Sequence, residues 1–532
     1  MFCHVSLNAI ASANFERVTT LVDKTYRWAV PVLGLCLVSW ILISWAGVQD
    51  DAFIHLRYAD NLFRTHLITY DGVHPNYGAS SLLYVYLLSF LRAFASSPDL
   101  PRIVSSCVHV LLFAGLVLLF LRAVPRESHL ARVLGLTALL LSVMPSAVRW
   151  LDDGMETGLV LCFVALLCWV IFRQTTRPAV TGLQYFACVL LGFFTVLLRT
   201  ELILLCGLAF AIFVWQSFFA PDNAAKAEGR VRAVISGSHL LLGGILALAY
   251  IRLKMHFLLP DTALAKSSGE PAWGVTLYDT SKVLAGALSF GAGMLLFWLL
   301  TIVLLMRSRR FTMTALFANS VFPILLFLAA KRGQQVQGAR YFAWTFCFSI
   351  LWNILELGRL PAIPPQSRLG SGSAYCFLAL LLLAVPYESK AMYPMLKSRS
   401  TLLQQFESDH LVRFEGKRGV AVDIGLIGYF SHADICDLAG LVNGREKARE
   451  TVSQRIAGCV ASHPDFLFFD AATINDTRSY LSFSDWQVCS FYDFKNVDSS
   501  NRHYLLVPRA TAAEECRVIS NAALSEVETF LH

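Results

Sequence analysis

Eleven apolar runs spread along the chain constrain its fold more than any other feature. A helix needs roughly 20 apolar residues to cross a bilayer. Of the 532 residues, 56% are hydrophobic and only 15% are charged, whereas soluble proteins carry about 25% charged residues. The composition therefore excludes a soluble enzyme, a disordered chain and a small disulfide scaffold, and it predicts a polytopic α-helical membrane protein. The runs are 28–48, 103–121, 130–148, 157–172, 183–198, 202–219, 234–251, 283–306, 312–330, 341–357 and 374–392.

The loops between the runs predict the orientation. Basic residues concentrate on one face, including the cluster Arg307, Arg309 and Arg310, and acidic residues on the other. Because basic loops stay in the cytoplasm, we expect a cytoplasmic N-terminus. The shorter run 81–95 is interrupted by Arg92, and counting it as a span would place the arginine cluster outside, so it is predicted to be an interfacial helix. The domains expected are a cytoplasmic segment 1–27, a membrane domain 28–394 and an external domain 395–532.

The tail has a different composition, with frequent charges and only short apolar runs. The segments 419–430, 465–470 and 504–508 are typical of strands, and 443–461 is typical of helix. The tail is therefore predicted to be a small α/β domain. In an oxidising compartment, four of its cysteines allow two disulfides in any of three pairings: Cys436, Cys459, Cys489 and Cys516.

The most informative segment, QDDAFIHLRYADNLFR (49–64), follows the first run directly. Its apolar residues recur at helical spacing, which predicts an amphipathic helix on the outer leaflet with Asp50 and Asp51 at its N-terminal end. Two carboxylates at a membrane boundary are costly unless they are solvated, paired or used in function. The alternative is a helix cap on an ordinary interfacial helix.

A second acidic segment, WLDDGMETG (150–158), lies in a loop on the same face. Asp152, Asp153 and Glu156 could bind a metal, accept hydrogen bonds from sugar hydroxyls, or cap the next helix. Two acidic loops on one face favour a functional explanation over two separate caps.

Cations are also expected on this outer face, against the positive-inside tendency. They could hold a phosphate at the lipid–water boundary, or they could form ion pairs with the nearby acids. The residues are Lys266, Lys331, Arg332 and Arg340, together with Arg199 beside Glu201.

Carboxylates and phosphate-binding cations at one membrane face suit a lipid-phosphate-linked sugar. A carboxylate can take the proton of an acceptor hydroxyl while cations or a metal meet the charge on the departing phosphate. The sequence contains neither a P-loop nor a G-x-G-x-x-G motif, so nothing in it supports nucleotide handling. The modest net charge of +7 gives no support for nucleic-acid binding.

At these residues the chain resembles the GT-C glycosyltransferases, membrane enzymes that use polyprenyl-phosphate sugars. DDAFIHLRYADNL is similar to the first-outer-loop signature of the branch that includes the mycobacterial terminal arabinofuranosyltransferases. The segments DDGMET, RTE, LLPDTALAK, GARYF and VDIGLIGYF resemble later motifs of that branch in the same order. Met155, Thr200 and Asp261 depart from the pattern, and HPNYGASSLLY lacks the usual motif after the first outer loop.

The resemblance implies roles for individual residues. Asp50 or Asp51 would be the catalytic base, with Asp50 preferred because it matches the first acid of the shared pair. It also places Asp153 and Glu156 in the second acidic loop and Lys266 and Arg340 where they would face the donor phosphate. Together with the charge pattern of the outer face, the full set expected to bind substrate or the donor phosphate is Arg57, Asp153, Glu156, Arg199, Glu201, Lys266, Lys331, Arg332 and Arg340. No cofactor is assigned to this chain beyond its donor substrate, a polyprenyl-phosphate sugar, and a divalent metal, Mg²⁺ or Mn²⁺, is left open.

The function expected from this resemblance is inverting transfer of a sugar, arabinofuranose by preference, from a polyprenyl-phosphate donor to an acceptor hydroxyl. The expected location is a bacterial inner membrane, with the C-terminal domain and the chemistry in the periplasm. The acceptor could be a polysaccharide, a lipid or a pilin-like protein. Two alternatives are a transporter or lipid flippase with an external accessory domain, and a receptor whose external domain binds a partner. Charges gathered at one face, without an internal repeat, favour the enzyme.

Overall fold

The structure is a computed structural model that describes residues 28–43, 48–176, 181–219, 224–265, 293–308, 312–331, 340–359, 368–494 and 502–516. Helices dominate as far as Ser408. They are α1 (Trp28–Ile43), α2 (Asp50–Thr65), α3 (Leu82–Arg92), α4 (Leu100–Ala123), α5 (His129–Val143), α6 (Pro145–Leu151), α7 (Thr157–Thr176), α8 (Gly182–Leu198), α9 (Ile203–Phe219), α10 (Ala224–Met255), α11 (Asp261–Ala265), α12 (Gly293–Arg307), α13 (Met313–Lys331), α14 (Arg340–Gly358) and α15 (Arg368–Ser408).

The apolar helices coincide with the predicted spans. Each of the eleven runs contains a helix, although 44–47 and 283–292 lie outside the described residues. Among the described helices, five are long and apolar enough to cross a membrane alone, or six if the bent pair α5–α6 forms one span. The polytopic helical membrane fold is confirmed, and the count of eleven stays a prediction.

Helix α3 occupies the run that we predicted to be interfacial. It has 11 residues, too few to cross a bilayer as a helix, and it packs against α2, α4 and α8. The expected helix is therefore present, and its place relative to a membrane stays a prediction.

Helix α15 links the membrane helices to the tail. It is 41 residues long, about 60 Å at 1.5 Å per residue, and it contacts α5 and α6 as well as elements of the tail. The expected domain boundary at 394/395 falls inside this helix, which continues to Ser408. The globular part of the tail follows it.

The tail contains a five-stranded sheet of order β2-β1-β3-β5-β4. Strands β1, β2 and β3 are parallel, and β4 and β5 are antiparallel additions. The elements are β1 (Arg418–Ala421), α16 (Gly425–Ser431), β2 (Asp434–Asp437), α17 (Arg445–Arg449), α18 (Val452–Ala461), β3 (Phe466–Asp470), α19 (Ala471–Thr477), β4 (Trp486–Asp493), β5 (Arg502–Pro508) and α20 (Ala512–Glu515).

The predicted α/β character of the tail is confirmed, with one correction. Strands β3 and β5 and helices α17 and α18 lie where we expected them. The segment 419–430 is not one strand, because β1 ends at Ala421 and Gly425 begins helix α16. Apolar residues fill both halves of this segment, so composition did not reveal the change. Strands β2 and β4 were not predicted.

Two disulfides join elements within the tail. Cys436 pairs with Cys459, and Cys489 pairs with Cys516. The first links β2 to α18, and the second links β4 to the residue after α20. The structure thus selects one of the three pairings that the sequence left open.

Candidate active site

Helix α2 lies between the membrane helices and the tail. It contacts α3 and α4 on the membrane side and α16 on the tail side, and ten of its sixteen residues are buried. The predicted helix is present and begins at Asp50, as expected. Its polar side contacts the tail, a contact that the sequence did not predict.

The Asp50 carboxylate joins the two parts of the chain. Its two oxygens accept hydrogen bonds from the backbone amides of Gly425 and Leu426, at 2.8 and 2.7 Å. Burial raises the pKa of Asp50 well above its usual value; the charges of Asp423 and Asp51 act in the same direction, and the two amides oppose them. Asp51, the next residue, is half-buried.

Two glycines of α16 allow this close approach. A Cβ at Gly425 would lie 1.8 Å from the backbone oxygen of Asp50, and one at Gly428 would lie 1.9 Å from Oη of Tyr70. Tyr70 in turn donates its hydroxyl proton to the carbonyl of Ile424 at 2.6 Å. The segment VDIGLIGYF thus places its glycines where the tail touches the first outer loop.

Arg57 strengthens the same contact. Its guanidinium donates to the carbonyls of Tyr70 and Ala433, each at 2.7 Å, and to the carbonyl of Gly428. The residue is 6% exposed. The structure therefore places Arg57 inside the contact between α2 and the tail, and its role in binding a donor stays a prediction.

Arg92 and Asp60 form a second polar link nearby. The Arg92 guanidinium pairs with the Asp60 carboxylate and donates to the Tyr429 hydroxyl at 3.3 Å. Burial raises the pKa of Asp60, and its pairing with Arg92 opposes that rise. The tail is therefore held to the first outer loop by several buried polar contacts along α2.

The second acidic loop lies beside the start of α2, as the two-loop prediction requires. The amide of Gln49 donates to the carbonyl of Asp153 at 2.9 Å, and the Asp153 side chain accepts the amide of Met155 at 2.9 Å. Nδ1 of His109 lies 3.1 Å from Oδ2 of Asp152, with both side chains buried. Backbone and side-chain contacts therefore fix the loop next to Asp50 and Asp51.

Glu156 is the centre of a buried polar cluster. Its carboxylate lies 3.9 Å from Nε2 of His55, 3.4 Å from Oγ of Ser80 and 3.5 Å from Nη1 of Arg199. Nε of Arg199 also lies 2.6 Å from Glu201. The structure thus brings together Glu156, Arg199 and Glu201, all expected at the site from sequence.

His55 and Ser80 were not predicted as site residues. His55 occurs at an apolar stretch of α2, and Ser80 occurs where the chain departs from the family motif. Nδ1 of His55 lies 3.2 Å from the carbonyl oxygen of Asp51, one helical turn earlier. That four-residue spacing was the only sequence signal that could have linked His55 to the acidic pair.

A third loop meets the first through Asp261. Its amide donates to the carbonyl of Tyr77 at 2.6 Å, and its carboxylate accepts the amide of Tyr77 at 3.2 Å. Asp261 begins α11, five residues before Lys266. The side chains of the expected donor-phosphate cations lie outside the described residues: Lys266, Lys331, Arg332 and Arg340.

A metal centre finds no support in the part of the chain that the structure describes. Within it, no three or more His, Cys, Asp or Glu side chains converge in an arrangement that could hold a metal ion. Asp50 and Asp153 instead accept backbone amides, Asp152 lies beside His109, and Glu156 lies beside His55 and Arg199. The divalent metal that the sequence left open is therefore not assigned to these residues.

The fold matches a solved membrane protein over nearly its whole length. The crystal structure of ArnT from Cupriavidus metallidurans bound to undecaprenyl phosphate aligns with a TM-score of 0.55 and 11% identity, covering 92% of this chain and 99% of ArnT. An oligosaccharyltransferase from Archaeoglobus fulgidus in the apo form aligns with a TM-score of 0.47 and 13% identity, over 86% and 71% of the two chains. The match to ArnT confirms the predicted polytopic helical fold, which this chain shares with that protein.

The sequence is also similar to that of one enzyme. It is 28% identical over 250 residues to the terminal β-(1→2)-arabinofuranosyltransferase of Mycobacterium tuberculosis, covering 44% of this chain and 38% of the relative. The aligned region is thus less than half of either protein. No protein-family model matches the chain. The resemblance to the arabinofuranosyltransferase branch is confirmed as a sequence likeness, and the transporter or flippase alternative finds no support in these relatives.

Proposed function

We propose that this protein is an inverting glycosyltransferase that moves a sugar from a polyprenyl-phosphate donor to a hydroxyl of a cell-envelope acceptor. The observation that carries the proposal is the meeting of the two acidic loops at the start of α2, where Glu156 contacts Arg199 and His55. The similarity to an arabinofuranosyltransferase favours arabinofuranose as the sugar. The undecaprenyl phosphate bound to ArnT supports a lipid-phosphate donor.

Asp51 is the better candidate for the catalytic base within the acidic pair. Asp50 is buried under the tail, with its oxygens bound to two amides. Asp51, at the same helix terminus, is only half-buried and is therefore more accessible to an acceptor. A base must come within hydrogen-bond reach of the proton that it removes. We therefore assign proton removal to Asp51 and the positioning of the helix start to Asp50.

The reaction follows from these roles. Asp51 removes the proton of the acceptor hydroxyl, whose oxygen attacks the anomeric carbon of the donor sugar from the face opposite the phosphate. The bond from that carbon to the phosphate oxygen breaks, and polyprenyl phosphate leaves. Glu156 and Asp153 would accept hydrogen bonds from sugar hydroxyls, and Arg199, paired with Glu201, would orient Glu156.

The phosphate would be met by the cations of the outer loops. Lys266 and Arg340 hold positions that the family resemblance assigns to the donor phosphate, and Lys331 and Arg332 lie close to Arg340 in the sequence. Cations placed where negative charge develops lower the barrier to departure of the leaving group. Substituting Lys266 should therefore raise the KM for the polyprenyl-phosphate donor more than the KM for the acceptor.

We place this chemistry on the periplasmic face of a bacterial inner membrane, with the N-terminus in the cytoplasm. Disulfides persist in oxidising compartments, and the two in the tail support a periplasmic location for it. The acceptor would be a polysaccharide, a lipid or a pilin-like protein of the cell envelope.

The test is transfer of labelled arabinofuranose from its polyprenyl phosphate to a synthetic arabinofuranoside by the purified full-length protein in nanodiscs. The product should have the anomeric configuration opposite to that of the donor. Asp51→Asn should abolish turnover, whereas Asp434→Asn, a matched change on an exposed residue of the tail, should not. No transfer from any polyprenyl-phosphate sugar would refute the class, and full turnover by Asp51→Asn would refute the base.

A further inference from the structure

The loop between β1 and α16 carries a carboxylate to the candidate active site. This loop follows the carboxyl end of β1, and ligands of α/β sheets bind outside the carboxyl ends of parallel strands. Asp423 lies in it, two residues before Gly425, whose amide binds Asp50 at 2.8 Å. The tail therefore places an acidic side chain close to the acidic pair of α2.

A buried histidine lies beside Asp423. Nε2 of His503 lies 2.7 Å from Oδ2 of Asp423; the His503 side chain is 1% exposed and that of Asp423 is 44% exposed. The imidazole packs against Phe468 and Phe494, with ring centroids 5.2 and 4.2 Å apart. Since these rings confine the imidazole, it can fix the direction of a carboxylate that still reaches solvent.

The sheet register explains why these two residues meet. His503 pairs with Asp470, the last residue of β3. It therefore lies at the end of the sheet where the parallel strands β1 and β3 finish. Asp423 follows β1 at that same end. The Asp423 charge helps to raise the pKa of Asp50, which agrees with the closeness of the two carboxyl groups.

The chemistry of this position suits a hydroxyl better than a phosphate. A carboxylate accepts hydrogen bonds from sugar hydroxyls, whereas it repels an anionic phosphate beside two further carboxylates. The acceptor side of a transfer presents hydroxyls, and the donor side presents the phosphate. The position of Asp423 therefore suits the hydroxyl groups of an acceptor.

We propose that Asp423, oriented by His503, binds a hydroxyl of the acceptor glycan next to Asp50 and Asp51. Asp423 is then a specificity-determining residue supplied by the tail, and His503 is its positioning residue. The inference rests on the proposed function for the identity of the acceptor. It also predicts binding that is measurable without turnover.

The experiment measures binding of a synthetic arabinofuranosyl disaccharide to the full-length protein in nanodiscs by saturation-transfer NMR. Asp423→Asn should weaken binding about tenfold or more, because a hydrogen bond to a charged group is lost. The matched control is Asp434→Asn. Asp434 is the first residue of β2 and so lies at the opposite end of the parallel strands, and this variant should bind the disaccharide as the wild type does. Unchanged binding by Asp423→Asn, or no binding by the wild type, overturns the proposal.

Two substitutions at His503 separate positioning from simple loss of structure. His503→Gln retains an N–H that can reach Asp423 and should keep most of the binding, whereas His503→Phe retains the packing alone and should lose about as much as Asp423→Asn. Equal binding by the two His503 variants contradicts the positioning role. In transfer assays, Asp423→Asn should raise KM for the disaccharide.

The outcomes distinguish this inference from the proposed function. If the wild type transfers no sugar but binds the disaccharide through Asp423, the glycosyltransferase proposal fails and the glycan site stands. If transfer proceeds and Asp423→Asn has an unaltered KM for the disaccharide, the glycan site fails and the enzyme stands.

Discussion

Replacing Asp50 by alanine tests whether its carboxylate holds the tail against α2. The substitution leaves the amides of Gly425 and Leu426, which now bond to Asp50, without their acceptor in a buried contact. An unsatisfied buried donor costs about 1–3 kcal/mol, so two cost about 2–6 kcal/mol. Relief of the desolvation that raises the pKa of Asp50 offsets part of this, and we expect a net loss at the lower end of the range.

Hydrogen–deuterium exchange of the full-length protein in nanodiscs measures this loss directly. If the opening of α16 is about 2–3 kcal/mol easier, its amides exchange roughly 30- to 150-fold faster, since about 1.4 kcal/mol corresponds to a factor of ten. Helix α18, on another part of the tail, serves as the internal reference. Asp51→Ala is the matched variant, because it removes a neighbouring carboxylate and leaves both Asp50 bonds in place.

Two results would refute this reasoning. Unchanged exchange of α16 in Asp50→Ala would mean that the two hydrogen bonds contribute nothing to docking. An equal acceleration of α16 exchange in Asp51→Ala would mean that negative charge at the N-terminus of α2, rather than those two bonds, holds the tail. In either case, Asp50 would return to consideration as the catalytic base.

Three further outcomes are expected. Asp51→Asn should lower kcat in the transfer assay about 10²- to 10⁴-fold, the usual contribution of a general base, with donor binding retained; a loss below tenfold would contradict the assignment. Gly425→Ala should detach α16 and accelerate its amide exchange as Asp50→Ala does, because its Cβ would lie 1.8 Å from the Asp50 backbone oxygen; wild-type exchange would count against that contact. Burial raises the pKa of Asp437 to about 6, so the stability of the tail should be highest below about pH 4 and fall by up to about 3 kcal/mol as the pH rises through 6. Thermal unfolding followed by fluorescence should show this decline in the wild type. If the decline persists in Asp437→Asn, Asp437 is not its cause.

The start of α2 could be predicted from sequence because the residues next to it determine where the helix begins. The apolar spacing after Asp50 is helical, and the acidic pair suits a helix N-terminus. What covers Arg57 could not be predicted, since its partner Gly428 is 371 residues away in the chain. Hydrophobic periodicity indicates which side of a helix is apolar but not which distant segment packs on the polar side.

The candidate site was predictable in part for a similar reason. Glu156 and Arg199 occur in short polar segments between apolar runs, which made them conspicuous. Ser80 and His503 lie in ordinary surroundings, and only the meeting of separate loops gives them a role. The change from β1 to α16 was missed because Gly425 acts through its contact with Asp50, which leaves no trace in local composition.

The docking of the tail onto α2 imposes an order on biogenesis. A ribosome completes α2 long before the tail, and domains of large proteins generally fold in the order of their synthesis. Asp50 and Arg57 are therefore synthesised without their tail partners and remain without them until the tail has folded. Any step that delays the tail, including formation of its two disulfides, would leave a membrane-inserted protein whose first outer loop is still unfinished.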